Sequence, residues 1–227
     1  MGSDARYIVG IDTGGTFTDI TVVASDGEAY MNKVPTTPGD FSQGVWNSIV
    51  QIAEDLGIPL DRFLQASVIK HGSTVATNAL ITRDGARVGL ITTYGFEDTV
   101  SIMRAIGRVA GLGEMELKHQ AVARKPEAIT PKERVCGVIE RIDYAGRVVV
   151  ALDEASARNA VRYLVEEQQV EAIAVSLLWA FANPVHERRI AQIIREMYGD
   201  RIYTVLSSEI CPVIREYARS NTVIIDG

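Results

Sequence analysis

The stretch VGIDTGGTFTDITVV, residues 9–23, decides the fold. Val9 and Ile11, then Ile20, Val22 and Val23, mark two short β-strands. Gly14-Gly15 between them marks a turn, and the tight hairpin types need residues able to take positive φ. Polar density at that turn sets the stretch apart from an ordinary hairpin: Asp12, Thr13, Thr16, Thr18 and Asp19 crowd round the two glycines. A Gly-Gly turn leaves backbone N–H groups unshielded, and such groups form anion-binding concavities. Thr13 and Thr16 add hydroxyl donors to the same space. A carboxylate beside them, Asp12, repels a bare phosphate. It fits if a divalent cation sits between, or if it orients a water for attack. The combination predicts a cradle for nucleotide phosphates and Mg²⁺. The residues alone also allow a hairpin whose polar side chains only satisfy the turn's backbone. No GxxxxGK[ST] run occurs, which excludes a P-loop. The dinucleotide fingerprint is excluded as well, because it opens a helix and not a hairpin.

With 227 residues, 47% of them hydrophobic, the chain can bury a core without disulfide or metal staples. A net charge of −6 argues against nucleic acid as the main partner. Cys136 and Cys211 stand alone with no CxxC spacing, which suggests a reducing compartment, although two cysteines can in principle bridge. The opening residues Met1-Gly2-Ser3-Asp4 lack the apolar region of a signal peptide, and no apolar run is long enough to span a bilayer. A cytoplasmic protein with neither nucleic-acid nor membrane partner is expected.

Outward from the hairpin, Ser25-Asp26-Gly27-Glu28 signals a second turn and a third strand. A helix is predicted from near Pro38, with Phe41, Val45, Ile49, Ile52, Ala53 and Leu56 on one face and Gly57 and Pro59 ending it. ASVIKHGSTVATNALITRDGARVGLITT then predicts strand, polar loop, short helix, an Asp84-Gly85 turn and strand, and YGFEDTVSIMRA a further helix. The order β-β-β-α-β-α-β-α over residues 6–105 suggests one mixed sheet with helices on its faces. Residues 106–134 are irregular, with Gly107, Gly111, Gly113, Pro126 and Pro131, although GEMELKHQAVA can supply a helix. Beyond them come a hairpin over Ala145-Gly146, a helix in DEASARNAVRYLVEEQ and a buried strand in VEAIAVSLLWAF. A helix capped by Asn183 with Pro184 first, then the strand RIYTVLSS, complete a βαβ unit.

Among the other candidates, His71 ends a strand ahead of Ser73, Thr74 and Thr77, so imidazole and hydroxyls can line a cleft. The same run fits a helix start, with Ser73 as N-cap and Asn78 one turn in. His119 and His186 are scattered, which argues against a zinc site. Arg104 and Arg108, near glycines, fit a substrate carboxylate or a partner subunit, and a solvated face accounts for them better. Cys136 fits a buried strand position, and capping accounts for Asp143 and Asp153.

VGIDTGGTFTDITVV resembles the first phosphate motif of the actin/sugar kinase/Hsp70 ATPase superfamily. More narrowly, it is similar to the start of the hydantoinase/oxoprolinase family. KVPTTPGDFSQGV, HGSTVATNALITRDGARVGLITTYGFED, ERIDYAGRVVVALDE, VEAIAVSLLWAFANPVHERR and LSSEICPVIREYARSNT resemble that family in order, over residues 8–222. The resemblance implies an α/β, ribonuclease H-like (actin-like ATPase) mixed sheet flanked by helices, followed by a second, smaller α/β unit. Residues 1–105 would form the first ATPase lobe and residues 106–227 the second unit. It further implies ATP and Mg²⁺ as cofactors, and activation of a carbonyl oxygen for hydrolysis of a cyclic amide or carboxylation of a ketone. Asp12 would coordinate Mg²⁺ or align the attacking group, Thr13, Gly14, Gly15 and Thr16 would contact the terminal phosphates, and Asp19 would support the metal through water. His71 and Asn78 would serve as catalytic residues, with Thr74 and Thr77 as substrate contacts. A second ATPase lobe and a second subunit of the hydantoinase B type are the implied partners, since SNTVIIDG falls where the family continues. The segment RAIGRVAGLGEMELKHQ departs from the ring-opening members and points toward a carboxylase-like one. A sugar or acetate kinase, or an actin- or Hsp70-like module without chemistry, are the alternatives on the same scaffold.

Overall fold

Alternation builds the first sheet. In β1 (Tyr7–Thr13), Val9, Ile11 and Thr13 are buried while Ile8, Gly10 and Asp12 are exposed. β2 (Phe17–Ala24) buries Thr18, Ile20 and Val22 in the same rhythm. The computed structural model describes residues 6–37, 39–106, 109–119 and 125–227; Met1, Gly2, Ser3, Asp4, Pro38, Gly107 and Arg108 lie outside the described residues. β3 (Ala29–Pro35) completes an antiparallel meander through the expected turn, in which Gly27 takes φ 91° and donates its N–H to the Ala24 carbonyl at 2.9 Å.

α1 (Phe41–Asp55) starts where Asp40 accepts the Ser42 N–H, a few residues after the start expected from sequence. α2 (Leu60–Ala66) has no counterpart among the predicted elements. It is one short turn-rich helix that buries a single large residue, Phe63, too brief to show a period. β4 (Ser67–Ser73) then runs parallel to β1, and α3 (Val75–Thr82) follows it. The strand order is β3-β2-β1-β4. Val9, Ile11, Ile20 and Val22 pack on Ile49, Ile52 and Ala53 of α1 and on Phe63, whose ring centroid lies 5.4 Å from that of Tyr7.

The second unit centres on strands with no exposed face. β5 (Val88–Thr93) is buried at every residue. After it come α4 (Thr99–Ile102), α5 (Glu114–Lys118), β6 (Val135–Val138) and the hairpin of β7 (Arg141–Ile142) and β8 (Val148–Val150). α6 (Glu154–Arg162) continues into a π-helical turn, and β9 (Ala172–Ser176) is again wholly buried. α7 (Val185–Tyr198), β10 (Tyr203–Leu206), α8 (Ser207–Ile210) and α9 (Glu216–Asp226) complete the unit. β10-β9-β5-β6 form an all-parallel sheet, and both its faces are covered, as such sheets require. Ile91, Ile173 and Val175 meet Val161, Leu164, Ile190 and Ile193 on one side. Leu90, Ala172 and Ala174 meet Val223 and Ile224 on the other.

This arrangement corrects several expectations. The chain divides into compact units at residues 84 and 85, not after residue 105, and the second unit is the larger. β5 is the reason: its apolar run needs cover on both faces, which it gains between β9 and β6 and not beside β4. The helix expected over YGFEDTVSIMRA shrinks to four residues, because Met103, Arg104 and Ala105 take left-handed conformations. Pro184 occupies the N-cap position of α7, with the Asn183 side chain accepting the Val185 N–H from one residue earlier. The mixed sheet, the Ala145-Gly146 hairpin and the βαβ unit are as expected. Among the described residues no helix is long and apolar enough to cross a membrane.

Phe63 is wholly buried and is the largest side chain in the first core. Phe63→Ala should cost about 3–5 kcal/mol, the range for an aromatic removed from a core. Urea unfolding measures it; a loss below about 1 kcal/mol would contradict this account of the unit.

Candidate functional site

Thr13 lies opposite Thr18 and Asp12 opposite Asp19 where β1 and β2 meet. The chain crosses between the strands through Gly14, Gly15 and Thr16. Three carbonyls here are engaged. That of Thr13 accepts the Thr74 N–H at 3.0 Å and the Ser73 hydroxyl at 3.2 Å, that of Gly14 the Thr36 hydroxyl at 2.9 Å, and that of Thr16 the Thr36 N–H at 2.9 Å. The Gly14 N–H closes the turn on the Phe17 carbonyl. Among the described residues, the N–H groups of Gly15 and Thr16 have no backbone acceptor. A loop with its acceptors engaged and its donors open is a cradle for an anion.

The two glycines serve space, not turn type. Neither takes a positive φ, which overturns the expected tight-turn role. A Cβ on Gly14 would lie 3.1 Å from the Phe17 carbonyl oxygen, and one on Gly15 would lie 3.4 Å from Nδ2 of Asn78. The start of α3 therefore stands close against the loop. Thr74 is its N-cap without a side-chain bond; the Ser73 hydroxyl expected to cap accepts the Val75 N–H from one residue earlier. α3 buries none of its residues, so Thr77 and Asn78 are exposed, with Asn78 beside Gly15.

The sheet sorts the remaining candidates onto two faces. Thr13 is buried on the α1 side, where its Oγ1 lies 2.9 Å from Nε2 of His71. Asp12 and Asp19 belong to the exposed face, directly across the strand pair from one another. Asp19 pairs with Lys33 at 3.0 Å, and Lys33 also stands over the Phe17 ring. Among the described residues Asp12 makes no ion pair. Like charges facing each other across strands are destabilising, the Lys33 ammonium offsets the charge of Asp19 alone, and carboxylate oxygens are the hard donors a divalent cation takes. Among the described residues no group of three or more His, Cys, Asp or Glu side chains converges.

Other candidates belong to the second unit and have structural partners. Nδ1 of His186 is 2.8 Å from Glu140, whose other oxygen accepts the Thr93 hydroxyl, and Thr93 in turn accepts the Leu178 N–H at 3.0 Å. Glu187, next in sequence, serves a different cluster: it accepts the Leu177 N–H, the Ser207 hydroxyl and the Ser208 N–H. Burial pushes its carboxyl pKa up and lowers that of the fully buried Arg219, which donates to the carbonyls of Leu177 and Val213. Sequence reasoning missed Glu140, Glu187 and Arg219, because their partners are far along the chain and no local spacing joins them. Cys136 lies in β6, where burial pushes its thiol up to about 11, so it is no activated nucleophile. Asp143 and Asp153 cap a turn and α6, as expected. His119 ends α5 on the surface, and Arg104 lines a cleft described below.

Residues 8–198 match the pattern of the hydantoinase/oxoprolinase N-terminal region. The chain is 40% identical over 229 residues to the acetophenone carboxylase gamma subunit of Aromatoleum aromaticum, covering 99% of this chain and 31% of that protein. It is 36% identical over 228 residues to caprolactamase subunit alpha of Pseudomonas jessenii, again covering 99% and 31%. Among solved structures, the nucleotide-free form of acetone carboxylase superposes with a TM-score of 0.89 at 32% identity, over 98% of this chain and 32% of that one. The ATP-dependent caprolactamase of Pseudomonas jessenii superposes with a TM-score of 0.78 at 34% identity, over 96% and 31%. The chain thus spans about a third of the length of these relatives.

Removing one of two facing carboxylates should relieve repulsion. Asp12→Asn is expected to unfold at the same temperature as the wild type or a higher one in a calorimetric scan. A clear drop would show that Asp12 supports the fold, contrary to its placement as an exposed carboxylate without an ion pair among the described residues.

Proposed function

Because the chain belongs to the hydantoinase/oxoprolinase family, we propose that its first unit binds the phosphates of ATP together with Mg²⁺. In the longer protein this binding serves transfer of the γ-phosphoryl group to a carbonyl or enol oxygen. The observation that carries this proposal is the Gly14-Gly15-Thr16 connection, with engaged carbonyls, open N–H groups and no Cβ between the loop and α3. Asp12 and Asp19 are the residues that would hold Mg²⁺, through water, on the exposed face beside it. Mg²⁺ supplies charge neutralisation of the phosphates when bound.

The remaining roles follow the geometry. The Gly15 and Thr16 N–H groups and the Thr16 hydroxyl bind terminal phosphate oxygens, while Thr13 stays beneath the loop and fixes His71. His71 is therefore a positioning or proton-handling group on the α1 side, and Asn78, Thr74 and Thr77 supply polar contacts from α3. An amide or enolate oxygen is a poor leaving group. Phosphorylation converts it to a good one, and positioning plus charge neutralisation is nearly all the catalysis such a transfer needs. The substrate class is a cyclic amide, opened by water, or a ketone, carboxylated through its enol. The relatives' greater length and their standing as subunits support a second ATPase lobe and a partner subunit of the hydantoinase B type.

The test is ATP consumption by the full-length protein. Turnover should require a ketone or cyclic amide, and Asp12→Asn should lower Mg-dependent turnover at least about a hundredfold, the scale of losing one positioned charged group. Unaltered turnover would remove Asp12 from the site. Consumption that depends on a sugar hydroxyl, or on no acceptor at all, would overturn the carbonyl chemistry.

A further inference from the structure

The second unit holds a cleft of about 490 Å³ between the segment leaving β5 and the start of α9. Its position follows from the topology. β5 is the strand from which the parallel sheet extends in both directions, to β6 on one side and β9 on the other. Crevices outside the carboxyl ends of strands at such a switch point are where open α/β sheets bind ligands. The volume lies within the range of small-molecule sites.

Charge narrows the class of ligand. Four charged residues line the cleft: Asp98, Glu216, Arg104 and Arg215. Both acids have cationic partners elsewhere. Asp98 pairs with Lys132, and Glu216 lies 4.0 Å from the buried Arg219. Among the described residues, neither Arg104 nor Arg215 has a carboxylate partner within ion-pair distance, in a chain of net charge −6. Both sit on backbone that side chains seldom adopt, with φ 55° at Arg104 and φ 90° at Arg215. Strain of this kind persists where surrounding structure enforces it, and it collects at ligand clamps. The rest of the wall is Gly95 and Thr99 together with the apolar and aromatic side chains of Phe96, Ile102 and Tyr217.

We propose that this cleft binds a small carboxylate with an apolar or aromatic body, the carboxylate held by Arg104 and Arg215 and the body against Phe96, Ile102 and Tyr217. Guanidinium forks match the planar carboxylate group in a paired, bidentate fashion, which a single ammonium does not. The proposal stands independently of nucleotide binding in the first unit.

Calorimetric titration of the 227-residue chain with benzoate tests it, with benzamide and inorganic phosphate alongside. Benzoate should saturate one site, and benzamide, the same body without the charge, should bind at least tenfold more weakly. Arg104→Gln and Arg215→Gln should each weaken benzoate at least tenfold. Arg215→Gly serves as a second variant, since it removes the guanidinium while suiting φ 90°, and its fold is checked by circular dichroism. It should lose benzoate to the same extent. Absence of saturable benzoate binding would overturn the proposal, as would equal binding of benzamide or phosphate, or benzoate affinity unchanged in a folded Arg215→Gly.

Discussion

Thr36 fixes the loop on which the candidate site depends. Its N–H binds the Thr16 carbonyl and its hydroxyl binds the Gly14 carbonyl, so one buried residue pins the connection at two points. The Thr36 hydroxyl proton is thereby committed, and Thr18, 3.1 Å away, must be the donor in the Thr18–Thr36 bond. Gly44 of α1 makes room for this seam, because a Cβ there would lie 3.2 Å from the Thr18 hydroxyl. Buried polar groups are held to their partners by the cost of losing them. The loop's carbonyls are thus turned to the protein, leaving the Gly15 and Thr16 N–H groups for a ligand. Ser73 and Thr74 complete the restraint from the far side through the Thr13 carbonyl.

The same sheet keeps different chemistries apart. Strand alternation sends Thr13 and His71 to the α1 face and Asp12 and Asp19 to the open one, so an imidazole and two carboxylates flank one backbone without competing. The repulsion between Asp12 and Asp19 is a local cost that the Asp19–Lys33 ion pair offsets only on one side, since Asp12 has no ion pair among the described residues. Such unrewarded features mark sites shaped by what they bind. The second unit is organised on other terms. Its buried polar groups, Glu140 with His186 and Glu187 near Arg219, tie backbone segments together at the strand ends, and its cleft carries Arg104 and Arg215.

Where one residue and its near neighbours carry the signal, the sequence was readable. The Gly27 and Gly146 turns, the period of α1, and the alternation of β1 and β2 all follow from local pattern, as does the crowding of polar residues at Gly14-Gly15. Failures came where tertiary context decides. VGLITT reads equally well as a strand of either sheet, and only its need for cover on both faces assigns β5 to the second unit. Gly14-Gly15 reads in sequence as turn geometry, whereas the structural reason is the approach of Phe17 and Asn78, one of them in an element some sixty residues away. The left-handed run at Met103, Arg104 and Ala105, which ends α4 early, has no glycine or proline in it to announce it. His71 and Thr13 were both candidates, yet their contact depends on the parallel register of β1 with β4.

The central claim is that the β1–β2 connection is a phosphate cradle. Backbone amide chemical shifts of this chain, followed by NMR during titration with Mg-ADP, test it most directly. The account predicts that the largest changes fall on Gly15 and Thr16, with smaller ones on Thr74 and Asn78, and that they vanish in Asp12→Asn. Nucleotide-dependent shifts confined to residues elsewhere, with Gly15 and Thr16 unmoved, would contradict it.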